Sequence, residues 1–291
     1  MNKILDMTNP ERVDPRPVNI LSVDFEEYYQ GILTVDPAEY DSWPGRLEPL
    51  GEKLLDLLDK YSARATFFVS GHVALRYPQL VSRIAARGHE IACHGFRHGL
   101  IYELTQSEFA EDLDRARDGL SHCVNVDRVI GFRAPWWSIN SRCPWAWEIL
   151  ESRKFLYDSS INPIRMRYYG DPRAPLTPYR IEGTGLWEFP PAAVKLAGLR
   201  LSVAGGFYWR HYPLYFIRWA LRRLNRQGVR AVCYFHPWEI DTGQPKIGDL
   251  PLEQRLIHFS GRASMERKIR AVLAGFRFGS FREVYGEEKG W

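Results

Sequence analysis

The chain has 291 residues, long enough for a single large domain whose core needs no disulfide staple. Lys and Arg number 39 against 35 Asp and Glu, a net charge of +4, which is too mild to imply a nucleic-acid partner. With 45% hydrophobic and 25% charged residues the chain is not intrinsically disordered. The aromatic share, 14%, fits a carbohydrate-facing groove, large interfaces or a bulky core. Cys93, Cys123, Cys143 and Cys233 form no C-x-x-C pair and read as reduced thiols.

Residues 1–16 are polar and proline-bearing, with no apolar h-region, so they read as a flexible arm and not a signal peptide. The remainder, 17–291, reads as one domain. No run approaches the ~18 apolar residues of a spanning helix, so a cytoplasmic protein is expected. The first strand is Val18 to Val23, ending in Asp24, Glu26 and Glu27. Gly51 to Tyr61 is an amphipathic helix and Ala65 to Val69 the next strand. Pro78 to Arg87 is a helix capped by Gly88, followed by a strand Glu90 to Cys93 that ends at His94. Thr105 and Glu108 form a capping box that opens a helix through Leu120. Val129 to Phe132 is a strand ending at Arg133, and Phe155 to Tyr157 another ending at Asp158. Residues 162–185 read as a long excursion, and Leu186 to Phe189 as a resumed strand. Tyr212 to Asn225 is a basic helix, Arg230 to Phe235 a strand ending at His236, and Ser264 to Phe276 a last helix. Alternating strands and helices predict a parallel α/β sheet, where functional side chains gather at the carboxyl ends of strands.

The chemistry falls at those ends. His94 and His98 are four apart, a spacing that on a helical turn aims both rings to one side and suits two ligands of one metal. Two loop histidines are the plainer reading. Strand alternation puts Asp24 and Glu26 on one side, and one carboxylate with two imidazoles is a hydrolytic zinc-type set. His236 stands among Tyr234, Phe235 and Trp238 as a candidate general acid or a satisfied core histidine. Arg133 can orient a carboxylate, and Trp136 and Trp137 can stack on sugar rings or simply pack.

The order Asp24, His94-x-x-x-His98, Arg133-x-Pro135, Asp158, His236 resembles the polysaccharide deacetylases of NodB homology, a group of carbohydrate esterases. The resemblance covers about residues 18 to 240, leaving 241–291 as a C-terminal extension. Tyr157-Asp158-Ser159-Ser160-Ile161, Glu188-Phe189-Pro190, Gly205-Gly206 and Phe235 to Glu239 resemble a bacterial subgroup encoded with exopolysaccharide and exosortase loci. The resemblance implies a distorted (β/α) barrel of about seven parallel strands. It implies Asp24 as catalytic base, Arg133 as the arginine that holds it, His236 as catalytic acid and Asp158 as the acid that supports His236. It implies a divalent metal, zinc first, on His94, His98 and an acid. The commoner pattern has an aspartate where Phe25 stands, so Glu26 is taken as the third ligand, with Glu27 in reserve. Trp136, Trp137 and Trp238 are the implied substrate-binding residues.

The activity implied is removal of N-acetyl groups from an amino sugar of a polysaccharide or its lipid-linked precursor, with the oxyanion held by the metal and a backbone N–H near Trp136. A deformylase or related amidohydrolase, and an inactive carbohydrate-binding relative, are the alternatives. Arg218, Arg222, Arg223 and Arg226, with Tyr215 and Trp219, lie opposite the apolar face of the basic helix. They read either as a solvated face or as a peripheral contact with anionic lipid at the inner face of the membrane.

Overall fold

The computed structural model describes residues 16–291 except 167, 168 and 249, so nearly all of the expected arm 1–16 lies outside the described residues. The strands are β1 (Val18–Phe25), β2 (Thr66–Val69), β3 (Glu90–Cys93), β4 (Gly131–Phe132), β5 (Tyr157–Asp158), β6 (Tyr179–Arg180), β7 (Trp187–Glu188), β8 (Ala193–Leu196), β9 (Leu199–Ser202), β10 (Val232–Phe235) and β11 (Arg277–Gly279). The main sheet runs β10-β1-β2-β3-β4-β5-β7-β6. All its neighbours are parallel except β6 against β7. It curls into a distorted half-barrel. Among the described residues no strand joins β7 to β10, yet the seam is bridged: Ala192 N–H bonds the Val232 carbonyl at 2.9 Å and Tyr234 N–H bonds the Ala204 carbonyl at 2.9 Å.

Alternation along β1 sets the two layers. Leu21, Val23 and Phe25 face outward into the core shared with the helices. Ile20 faces the barrel interior with Phe68, Ala92, Tyr157 and Phe189. Ser22 and Asp24, two and four residues on, share that inner face. The interior is tight: a Cβ on Gly131 would come within 2.0 Å of the Tyr157 ring, so only glycine fits there. Burying each large side chain here stabilises the fold by about 1.5–3 kcal/mol.

The helix Gln106–Ser121 begins with the expected capping box, in which Thr105 Oγ accepts from Glu108 N–H. The helix expected from Gly51 starts earlier, at Leu47, and ends at Lys60. The sequence reading also missed the hairpin β8–β9, strand β11 and the helix Phe281–Lys289. β11 has one buried apolar side chain, Phe278, and pairs with the start of β1, beyond the reach of local pattern. Phe281 at the head of the last helix packs on Phe68, Tyr157 and Phe189 and plugs the end of the barrel where strands begin. The expected C-terminal extension is therefore woven into the same sheet.

Candidate active site

The opposite end of the barrel carries the chemistry. Glu26 follows β1 and His94 follows β3, two strands away. His98 sits on a loop, not on the helical turn that the spacing suggested. Left-handed φ at Gly95 (69°) and His98 (57°) folds this loop back, and Asp112 holds it by accepting the Phe96 and Arg97 N–H groups at 2.7 and 3.2 Å. Asp112 belongs to the inner face of the helix Gln106–Ser121, one turn from Phe109 and Ala116, and sequence reasoning missed it. The result brings the two rings to 5.0 Å between centroids.

The donor atoms of Glu26, His94 and His98 lie within 4.8 Å of one another. His94 Nδ1 bonds the Arg133 carbonyl at 2.7 Å, which fixes the proton there and leaves Nε2 as a lone pair facing Glu26 Oε2 at 3.8 Å. His98 Nε2 touches the same oxygen, and His98 Nδ1 is buried without a partner. Burial holds the His94 imidazole down at about 4, neutral and ready to ligate. Burial works against a charge on Glu26, but His98, His236 and His94 outweigh it and keep the carboxyl well below its usual range. A buried carboxylate with two imidazoles, one ring carrying an orphaned nitrogen, fits a divalent cation. Phe25 points outward against Phe67 at 5.5 Å, so alternation leaves the Glu26 carboxylate, not position 25, beside the two histidines. Glu27, the reserve in the sequence reading, lies outside this cluster. Its Oε1 accepts from Arg46 N–H (2.7 Å), Leu47 N–H (3.1 Å) and Tyr77 OH (2.6 Å), which caps the helix Leu47–Lys60.

Asp24 shares the inner face of β1. Arg133, fully buried, donates through Nη1 to Asp24 Oδ1 at 2.6 Å and to Ser22 Oγ at 2.8 Å. Its Nη2 and Nε bond Ser159 Oγ and the Ser159 carbonyl, and its plane lies 4.1 Å over Phe68. The guanidinium is thus fixed on every side, and Asp24 Oδ2 is left facing His236 Nε2 at 3.7 Å. His236 Nε2 also lies 3.8 Å from Glu26 Oε1.

The partner of His236 corrects the sequence reading. Asp158 does not reach it. Asp158 accepts from Trp147 Nε1 at 2.9 Å and from Ser160 Oγ, and packs beside Glu188. Burial pushes Asp158 up to about 6 and, with Asp158 adjacent, pushes Glu188 well above the carboxylate range, so the two share a proton. Their role is to hold the Ser159–Ser160 turn that braces Arg133, since Ser160 Oγ also accepts the Ala134 N–H at 2.8 Å. His236 Nδ1 is instead held by Glu239 Oε2 at 3.2 Å, and Glu239 Oε1 lies 2.8 Å from Arg210 Nε. Burial disfavours imidazolium, but Glu26, Glu239 and Asp24 prevail and raise His236 to about 9. A cation on Glu26 would take back part of that rise.

The tryptophans divide. Trp137 is buried, 5.0 Å from Tyr234 and with Arg133 4.6 Å from its ring, so it packs. Trp238 is covered on both faces, by His236 at 4.8 Å and His258 at 4.2 Å, while its Nε1 donates to Glu26 Oε1 at 2.9 Å. It positions the site and offers no open face to a sugar. All three line the cleft, but Trp136 alone of them is only half-buried, and it stands in left-handed backbone with φ 58°. The cleft, about 110 Å³, is also lined by Tyr169, Phe207 and Ile257, which the sequence did not single out.

Residues 33–152 match the family model described as polysaccharide deacetylase, and residues 159–286 match a domain of unknown function, DUF3473. Together these matches support the polysaccharide deacetylase family of NodB homology. A candidate polysaccharide deacetylase from Mycobacterium smegmatis shares the fold, with a TM-score of 0.62 at 22% identity over 96% of this chain and 93% of that one. The peptidoglycan-N-acetylmuramic acid deacetylase PdaA of Bacillus subtilis is 25% identical over 129 residues, 38% of this chain and 49% of that protein. The peptidoglycan deacetylase-like protein FGM2 of Gibberella zeae is 32% identical over 127 residues, 43% of this chain and 36% of that protein. The chain thus spans half or less of the curated relatives it matches. Both matches contribute to this cluster: His94, His98 and Arg133 fall in the first, His236, Glu239 and Arg210 in the second. Asp24 and Glu26 precede both.

Proposed function

We propose that this polysaccharide deacetylase is an active, metal-dependent N-deacetylase that releases acetate from an N-acetylated amino sugar of a polysaccharide or its precursor. The observation that supports this reading best is the placement of Asp24 and His236, both beside Glu26 and each held by its own buried partner. A divalent metal on Glu26, His94 and His98, with zinc the first candidate, would supply a Lewis acid and a water of lowered pKa. Asp24, fixed through Oδ1 by Arg133, takes the water's proton on Oδ2. The N–H groups of Trp137 and Ser138 are spent on the Ala134 and Pro135 carbonyls at 3.1 Å, so the Trp136 N–H is the donor offered to an oxyanion. His236, kept protonated by Glu239, gives its proton to the sugar nitrogen, which leaves as an amine. The half-buried Trp136 ring stacks on the sugar.

The test is acetate release from N-acetylglucosamine oligomers and peptidoglycan fragments by metal-loaded protein. Release by wild type and none by Asp24→Asn is the expected result. No release by wild type from any acetylated saccharide, with metal bound, would favour the inactive carbohydrate-binding alternative; formate release from a formamido sugar would favour the deformylase.

A further inference from the structure

Residues 189–238 contain no aspartate or glutamate, yet they carry Lys195 and seven arginines, of which Arg210 is buried on Glu239 and Arg230 pairs with Glu288. In a chain with 35 acids, an acid-free stretch of this length concentrates positive charge in one part of the fold. That part is the hairpin β8–β9, the helix Gly206–His211 and the helix Leu214–Arg226.

The helix Leu214–Arg226 buries Ile217, Ala220, Leu221 and Leu224. Its opposite side presents Tyr215, Trp219, Arg222 and Arg226, whose spacing puts them on one stripe. Tyr215 is 77% exposed and Trp219 39%. Arg223 lies 5.7 Å from the Trp219 ring, whereas Arg218, expected on the same side, is half-buried against the body. An ordinary solvated helix face mixes both signs of charge. This one has aromatic rings at one end, arginines at the other and no acid. That is the composition that settles at lipid head-group level, where rings occupy the interface and guanidinium groups meet phosphates.

The aromatic rings also lead to the active site. Trp219 stacks on Phe216 at 5.5 Å, Phe216 meets Tyr212 at 5.0 Å, Tyr212 meets Tyr208 at 5.9 Å and Tyr208 meets Phe207 at 6.0 Å. Phe207, itself exposed, lines the same cleft as Asp24 and His236. The hairpin tip adds Leu196 and Leu199, 43% and 65% exposed, between Lys195 and Arg200. Arg200 bonds the Pro163 and Ala174 carbonyls, and Tyr208 OH lies 3.5 Å from Met166 Sδ, so hairpin and helix flank one loop beside the cleft.

We propose that this face docks on an anionic phospholipid surface and brings the mouth of the cleft to substrate presented there. The proposal goes beyond the deacetylase reading and is tested without it. Full-length protein is sedimented with vesicles of equal parts phosphatidylcholine and phosphatidylglycerol, and with phosphatidylcholine alone, at low and high salt. Wild type should bind the anionic vesicles only, and release as the Debye length shrinks toward about 3 Å at 1 M salt. The variant R222Q/R223Q/R226Q should bind about 100-fold more weakly, since each basic residue near such a surface contributes about fivefold. Y215S/W219S should also weaken binding, while R222K/R223K/R226K should retain it. Matching melting temperatures check that each variant is folded, and acetate release from a soluble oligomer serves as a separate readout. Absence of wild-type binding, or equal binding by wild type and the glutamine variant, would overturn the proposal. So would binding to a soluble sulfated polysaccharide with none to vesicles, which would make the face a polyanion groove.

Discussion

The two halves of the proposed catalytic centre are built differently. The ligand half hangs on neighbouring strand ends: Asp24 and Glu26 at β1, His94 after β3 and Arg133 after β4. Sheet register alone brings these within reach, and main-chain bonds such as His94 Nδ1 to the Arg133 carbonyl finish the alignment. The acid half is held from outside. His236 follows β10, but its orientation depends on Glu239, and Glu239 depends on Arg210. Arg210 in turn donates to the carbonyls of Ile257, His258 and Ser260, at the end of the helix Leu252–Phe259. Lys268 seals the arrangement by bonding the Trp209 and Arg210 carbonyls at 2.8 Å. A centre made this way can lose its acid geometry while its metal ligands stay in place.

That contrast can be broken experimentally. The largest effect belongs to the ligand half: His94→Ala should lose the metal and with it all measurable turnover, as elemental analysis and acetate release would report. Full occupancy in this variant would reject the ligand set. Next is the brace beneath it. Arg133→Met leaves the buried Asp24 uncompensated and should cost about 3–5 kcal/mol in denaturant unfolding. Asp24→Asn keeps an acceptor for Arg133 and should be inactive, metal-bound and destabilised by less. On the acid side, His236→Ala should lower turnover by roughly 10²–10⁴. Glu239→Gln should lower it less, shift the alkaline limb of the rate profile downward and leave metal content untouched. An unmoved limb would mean Glu239 does not act through His236.

The smallest effect concerns the proton shared by Asp158 and Glu188. Glu188 is held protonated in the fold by burial and by Asp158, whereas the unfolded chain releases that proton above its ordinary value of 4.5. Stability from this group is therefore fully present below pH 4.5 and declines as pH rises, by about 1.4 kcal/mol per unit for one proton. Glu188→Gln keeps a donor toward Asp158 and cannot ionise. Urea unfolding should show it gaining on wild type between pH 5 and pH 8; parallel curves would exclude the shared proton.

The ligand half was legible because all its residues but His98 stand at or just past the end of a strand that can be read locally. The bounds of β3 and the Thr105 capping box were plain in the sequence, and so were the five positions Asp24, Glu26, His94, His98 and Arg133. The acid half was legible only in part. His236 was visible, but its support was assigned to Asp158 by family order, while burial makes Asp158 and Glu188 partners of each other. Glu239 stood three residues from His236 all along. What hid its role was its counterion, since nothing local ties Arg210 to position 239. Trp238 read as a sugar platform because a sequence shows a ring but not what covers its two faces.

The place of β1 in the sheet sets a timetable for synthesis. Among the described residues β1 is the first strand made, yet one edge waits for β10 and the other is shared by β2 and β11. At about 5–20 residues per second, roughly 10–40 s separate the emergence of β1 from that of β10. Throughout that interval Asp24 and Glu26 stand on a strand with an open edge, and the acid half does not yet exist. A nascent chain can gather Glu26, His94 and His98 early, but it completes the proposed acid half only after β10 and the helix Leu252–Phe259 have emerged.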